Sequence, residues 1–303
     1  MIRHFLADLD VTAAEQEALL SQAIALKANP QGFREALRGK IIGMIFQKSS
    51  TRTRISFEAG ILQLGGHGIF LAARDVQIGR GEPIGDTGQV LSRYVDLLLI
   101  RTYGHAEVKA LASSSRVPVI NGLDDTWHPC QALADLQTIR EQRGGLRGQQ
   151  LVYVGDGNNM LHSLLCAGAL AGMQVRAICP VGYWPNPEIV AQAQAVARQT
   201  GGGIDVTSDL HAVDGADVVY TDVWASMGQE EQAAQRLQDF ARYQVNAALM
   251  QKAKADALFL HCLPAHRGEE VAAEVIDGPQ SRVFEQAENR LHAQKALMLF
   301  LLG

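Results

Sequence analysis

The feature that most restricts the fold is an alternation that runs the length of the chain. Short apolar runs that read as buried strands recur about every thirty residues, with helical patterns between them. Residues 12–28 carry Ala14, Leu19, Ile24 and Leu26 at helical spacing. Residues 41–46 form an apolar run, followed by a helix with Ile55, Ala59 and Leu62 on one face that stops at Gly65-Gly66. Further strands are expected at 97–101 and 118–121. A second series has strands at 151–154, 175–179, 216–221 and 257–261, and a helix at 159–173. Strands spaced by helices pair in parallel, because a parallel pair needs a long crossover. The pattern therefore predicts an α/β fold of two doubly wound domains, each with a central parallel sheet. A helix over about 129–143, ended by Gly144-Gly145, joins the two series. The last helix, about 289–302, is apolar on several faces (Leu291, Ala296, Leu297, Leu301), so it needs a covering surface and forms a second bridge. The expected division is a first domain over 1–130 that regains about 280–303, a bridging helix at 131–147, and a second domain over 148–279.

Composition narrows the function classes. A length of 303 residues fits two domains, and 47% apolar with 19% charged residues excludes a disordered or fibrous chain. A net charge of −5 lacks the overall basic excess of a nucleic-acid binder. The four cysteines (Cys130, Cys166, Cys179, Cys262) are far apart, with no CxxC, which argues against a disulfide framework and a structural zinc site. Asp8 interrupts the N-terminal segment where a signal peptide continues its apolar region, and the most apolar stretch, 164–173, is too short to span a bilayer. A soluble, cytoplasmic protein with neither nucleic-acid nor membrane partner is expected.

Five segments carry polar groups beyond the needs of the fold. Ser49-Ser50-Thr51-Arg52-Thr53-Arg54 joins a buried strand to a helix. A helix N-terminus favours anions, hydroxyls add donors, and arginine grips phosphate in bidentate fashion. Capping alone needs one such residue, so the run reads as a phosphate site, although the Walker A spacing is absent. Trp127-His128-Pro129-Cys130-Gln131 puts His128 and Gln131 at the mouth of the bridging helix, since proline suits a first helical turn. Taken alone, such a histidine is most often a surface or packing residue. Gly155-Asp156-Gly157-Asn158-Asn159-Met160 follows a strand, yet Met160 replaces the third glycine of a dinucleotide fingerprint, and the next strand ends without a ribose-binding acid. Tight glycines that bring Asn159 to a pocket, or a plain strand–turn–helix, are the readings left. Asp222, leaving a strand at its C-terminal end, can pair with an ammonium or cap the polar helix that follows. In His261-Cys262-Leu263-Pro264 the first two side chains leave an extended segment on opposite faces, which weakens a Cys–His pair and favours an inert cysteine.

Together these segments resemble the aspartate/ornithine carbamoyltransferase superfamily, and within it the ornithine carbamoyltransferases. The match rests on Ser50-Thr51-Arg52-Thr53-Arg54, His128-Pro129-Cys130-Gln131, Asp222 to Gly228, His261-Cys262-Leu263-Pro264 and Ala287-Glu288-Asn289-Arg290. The resemblance implies that Ser50, Thr51, Arg52 and Thr53 cradle the phosphate of carbamoyl phosphate. It implies that Arg101 reaches phosphate and carbonyl oxygen, that His128 donates to that oxygen, and that Gln131, Cys262, Leu263 and Arg290 hold the carbamoyl group. Gln77 resembles a glutamine contributed by a neighbouring subunit. Asn159, Asp222, Ser226 and Met227 match ornithine contacts. A homotrimer, sometimes stacked into larger assemblies, with neither metal nor organic cofactor, is implied, as is a place in arginine biosynthesis or the urea cycle.

The reaction implied is attack of the ornithine δ-amine on carbamoyl phosphate, giving citrulline and phosphate without a covalent intermediate. Arg101, His128 and Thr53 would stabilise the carbonyl oxygen as it gains charge, and the Ser50–Thr53 cradle the leaving phosphate. Asp222 and Cys262 would orient the amine for deprotonation. Closure of the domains would exclude competing water. The alternatives are a carbamoyltransferase for putrescine or an N-acylated ornithine, and a non-catalytic binder of phosphate metabolites.

Overall fold

A computed structural model of the chain describes residues 2–72, 77, 81–225 and 233–303. By packing, the chain divides into two units: Met1–Ala134 with Glu288–Gly303, and Asp135–Ala287.

In the first unit α1 (Ala13–Ala28) is opened by a capping box in which Thr12 and Glu15 satisfy each other's backbone N–H groups. The strands are β1 (Ile41–Phe46), β2 (His67–Ala72), β3 (Leu97–Arg101) and β4 (Val119–Leu123). The helices α2 (Thr51–Gln63), α3 (Ile84–Leu91) and α4 (His105–Ser114) lie between them in sequence. All described pairings are parallel, in the order β2-β1-β3-β4. Ile45, Leu98, Ile100 and Val119 are fully buried and pack with Val108 and Leu111 of α4 into one core. Phe5 adds a bridge to Ile120 at the β4 edge.

Helix α5 (Pro129–Arg143) contains the first division between the units. The second unit has strands β5 (Gln150–Val154), β6 (Gln174–Ile178), β7 (Gly203–Thr207), β8 (Val218–Thr221) and β9 (Leu258–His261). Its helices are α6 (Asn159–Leu170), α7 (Pro187–Thr200), α8 (Ala233–Phe240), α9 (Ala247–Met250) and α10 (Ala273–Ile276). The sheet is again parallel, in the order β7-β6-β5-β8-β9. Val152, Val154, Val219 and Phe259 meet Tyr243, Val245 and Val271 in its core. Helix α11 (Val283–Leu302) contains the second division.

The predicted class, two doubly wound parallel α/β domains, is the class observed. Two strands lie outside the sequence reading. β2 and β7 are both sheet edges, half exposed and glycine-bearing, so neither shows the continuous apolar run of a central strand. Helix α11 begins six residues before the expected 289, at Val283. The face of α2 also differs from expectation. Ile55 and Leu62 are 57% and 76% exposed, whereas Phe57, Gly60 and Ile61 are buried. Glycine has no apolar signature, yet Gly60 packs against Lys295, Leu291 and Met298 of α11.

Strand order reverses at β1/β3 in the first unit and at β5/β8 in the second. In open α/β sheets ligands collect beyond the carboxyl ends of strands at such switch points. The Ser49–Arg54 run follows β1 and Arg101 ends β3. The Gly155–Asn159 turn follows β5 and Asp222 follows β8.

Candidate active site

In the first unit Ser50 caps α2, its hydroxyl accepting the N–H of Thr53 at 3.1 Å. One residue of the run thus does serve as a cap. Thr51 and Arg52 open the helix without being consumed by it, Thr51 exposed and Arg52 half-buried. Residues Gln47 to Thr51 line a cleft of about 560 Å³ with Phe46, Phe70 and Glu58. Arg54 lines the same cleft, where its guanidinium lies 3.6 Å from the Phe70 ring centroid and donates to Glu58 at 3.1 Å.

Arg290, only 2% exposed, donates to Gln131 Oε1 at 2.6 Å and to Thr53 Oγ1 at 3.1 Å. One guanidinium so ties the first turn of α11's returning half to the start of α2 and the start of α5. His128 and Arg101 are buried in the same unit. Burial pushes the His128 imidazole well below its usual range, and the nearby Arg290, Arg101 and Arg52 charges push it the same way. The ring is thus neutral at physiological pH. A neutral imidazole among three guanidinium groups can donate a hydrogen bond without adding a further cation. Cys130, the second residue of α5, is fully buried with its thiol pushed up to about 12 by desolvation, so it is an inert packing group.

In the second unit Gly157 lets the chain after β5 run against the backbone of Trp184 and Pro185. A side chain there would stand 2.3 Å from their main-chain atoms. The turn delivers Asn158, which caps α6 by accepting the N–H groups of Met160 and Leu161 at 3.0 and 3.1 Å. Asn158 also donates to Asp222 Oδ2 at 2.8 Å. The other oxygen of Asp222 accepts from the Cys262 thiol at 2.9 Å and from the Val223 N–H at 2.8 Å. Asp222 is thus the hub of this cluster. Asn159 is the first residue of α6.

His261 and Cys262 have separate partners, Glu270 and Asp222, but do not diverge to opposite faces as expected. His261 Nδ1 accepts the Leu263 N–H at 2.8 Å, so the ring proton is on Nε2, which donates to the buried Glu270 at 3.1 Å. Ligand atoms of Asp222, His261 and Cys262 all lie within 4.8 Å of one another. Both His261 nitrogens are already engaged, so this trio could hold a metal only by breaking the bonds that shape the loop. Leu263 adopts a left-handed backbone, φ 58°, within that loop.

Beside Asp222, Asp156 pairs with Arg236 at 2.9 Å. Desolvation raises the Asp156 carboxyl to about 6 despite that partner. Arg236 also donates to the Trp224 carbonyl at 2.7 Å and lies over the Tyr183 and Phe240 rings. It anchors the chain that leaves β8.

Of the residues expected at the site, Ser50, Thr51, Arg52, Thr53, Arg101, His128, Gln131 and Arg290 fall in the first unit. Asn159, Asp222, Cys262 and Leu263 fall in the second. Gln77 is exposed, and Ser226 and Met227 lie outside the described residues. Sequence reasoning missed Asn158, Asp156 and Arg236. Asn158 carried a usable signal, a capping residue directly before a helix. Arg236 carried none, being one arginine in a polar helix.

Two family models match. The aspartate/ornithine carbamoyltransferase carbamoyl-P binding domain covers residues 3–141, and the Asp/Orn binding domain covers residues 147–301. The ornithine carbamoyltransferase of Oceanobacillus iheyensis is 58% identical over 99% of this chain and 94% of its own. That of Methylococcus capsulatus is 55% identical over 99% and 98%. The solved ornithine carbamoyltransferase of Pyrococcus furiosus superposes with a TM-score of 0.94 at 51% identity, covering 98% of this chain and 96% of its own. With both domain models matched in order and relatives this similar along their whole length, the chain belongs to the aspartate/ornithine carbamoyltransferase family.

Proposed function

We propose that this chain transfers the carbamoyl group of carbamoyl phosphate to the δ-amine of L-ornithine, releasing L-citrulline and phosphate. Family membership supports the reaction class. The observation that carries the residue roles is a buried neutral His128 set among Arg52, Arg101 and Arg290. The α2 N-terminus, Ser50, Thr51, Thr53 and Arg52 hold the phosphate, which departs as an anion. Arg101, His128 and Thr53 stabilise the carbonyl oxygen as the amine attacks. Gln131 and Arg290, with Cys262 and Leu263, hold the carbamoyl amide. The amine attacks directly and no enzyme group becomes covalently attached.

The acceptor is an alkylamine, which is protonated near neutral pH and must lose a proton to attack. Asp222, with Cys262 bonded to it, binds and orients that group, while Asn159, Ser226 and Met227 contact the amino-acid end. The assembly is a homotrimer, alone or stacked, in which a neighbour supplies Gln77. The exposed apolar Ile55, Leu62 and Ile69 supply the kind of surface that oligomers cover. Among the described residues no helix is long and apolar enough to cross a membrane, and the working compartment is the cytoplasm. An acceptor panel of ornithine, putrescine and N-acetylornithine, scored by ureido product, tests the reading. Preference for ornithine supports it. Turnover with the others and none with ornithine overturns it.

A further inference from the structure

One helix turn in the first unit touches all three loops that carry its polar site. Glu107, in the first turn of α4, accepts from Gln47 Nε2 at 2.9 Å and from Thr102 Oγ1 with the same carboxylate oxygen. Gln47 lies directly after β1, ahead of Ser50–Thr53, and Thr102 directly follows Arg101. His105, the first residue of α4, sets its Nδ1 2.7 Å from Asp124 Oδ2.

Asp124 is fully buried and dictates the path to His128. Its Oδ1 accepts the N–H groups of Thr126 and Trp127 at 2.7 and 2.8 Å, and its Oδ2 accepts from Asn121 Nδ2 at 2.8 Å. Main-chain bonds lace the same loops together: Gln47 N–H to Arg101, Thr102 N–H to Leu123, and Asp125 N–H to Tyr103. Lys48 adds an ion pair to Asp125 beneath the Tyr103 ring. The first turn of α4 thus braces the exits of β1, β3 and β4 at once.

We propose that His105 and Glu107 are positioning residues for carbamoyl transfer, holding the loops of Arg52, Arg101 and His128 in one fixed arrangement. The inference rests on the function proposed above. Donors stabilise a developing oxyanion without reorganising only when their own supports are rigid. A misplacement of about 1 Å far from the chemistry can cost about 10²-fold in rate. His105 acts through Asp124 on the chain before His128, and Glu107 acts on the two loops that bear Arg52 and Arg101.

The test is steady-state kinetics of His105→Leu and His105→Asn, each alone and with His128→Ala. Leucine fills the space without a donor, whereas asparagine keeps an N–H where Nδ1 stood. His105→Leu is expected to lower kcat about 10–100-fold with the carbamoyl phosphate KM changed less than about threefold. His105→Asn is expected to return kcat to within about threefold of wild type, and the leucine penalty should vanish in the His128→Ala background. Wild-type kcat in His105→Leu, equal losses in the leucine and asparagine variants, or fully additive penalties would each overturn the proposal. If His105→Leu does not fold, His105→Ala, which also removes the donor, decides the point: kcat lowered about tenfold or more supports it, and a smaller loss sinks it. A wild-type enzyme that forms no ureido product breaks the functional reading instead, before any variant is compared.

Discussion

In both units the polar residues leave the sheet where strand order reverses, at β1/β3 in one and β5/β8 in the other. The chemistry gathered there has opposite sign. The first unit collects Arg52, Arg101 and Arg290 around a histidine kept neutral by burial and by those charges. The second collects Asp222 and Asp156 with a thiol, an amide and one arginine. On the function proposed above, the same topology serves in one unit an anion that must depart and in the other a cation that must lose a proton. An overall net charge of −5 conceals this division.

Substitutions that strike one unit's chemistry should leave the other substrate untouched. The largest effect is expected at His128. His128→Ala should lower kcat about 10²–10³-fold, as loss of one oxyanion donor does, with the ornithine KM little changed. Next, Arg52→Ala should weaken carbamoyl phosphate binding about 10–100-fold by calorimetry, the usual scale for a lost charged hydrogen bond. Unchanged affinity would remove Arg52 from the cradle. In the second unit Asp222→Asn should raise the ornithine KM about tenfold or more while the carbamoyl phosphate Kd stays near wild type. Comparable effects on both substrates would erase the assignment of one substrate to each unit. Arg236→Gln should raise the ornithine KM more modestly, because it anchors the chain at Trp224 and pairs with Asp156.

The smallest effect is on stability, and its sign should differ between the units. His128 has a folded pKa below its ordinary 6.5, so the unfolded chain takes up the proton first. Its contribution is complete above that value and is lost as pH falls below it. Asp156 is raised from 3.8 to about 6, so its contribution is present at acid pH and lost as pH rises through that interval. Denaturant titrations of His128→Gln and Asp156→Asn between pH 6.5 and 5 should therefore deviate from wild type with opposite pH slopes. Slopes of the same sign would contradict the difference in burial electrostatics.

What could be read in advance followed from local rules. Ser-Ser-Thr-Arg after an apolar run is a helix start with surplus donors, whatever the rest of the chain does. His-Pro opens a helix because proline suits its first turn. Edge strands β2 and β7 were not legible, because a half-exposed strand has no continuous apolar run. Arg54 shows a further limit. Its sequence neighbours suggest phosphate, but that it stacks on Phe70 and pairs with Glu58 within the same cleft is set by the fold.

The sequence by itself determined the class of fold, the positions of the polar loops and, through motif resemblance, the family. These depend on periodicity and on contiguous residues. Only the tertiary structure decided which far-separated groups meet. Arg290 joins Thr53 and Gln131 across more than 150 positions, with |i−j| of 237 and 159. Cys262 and Asn158 meet on Asp222, and α4 braces three loops at once. A lone polar residue carries no mark of its partner. Its protonation state, tautomer and bonds are set by burial and neighbours that exist only once the chain has folded.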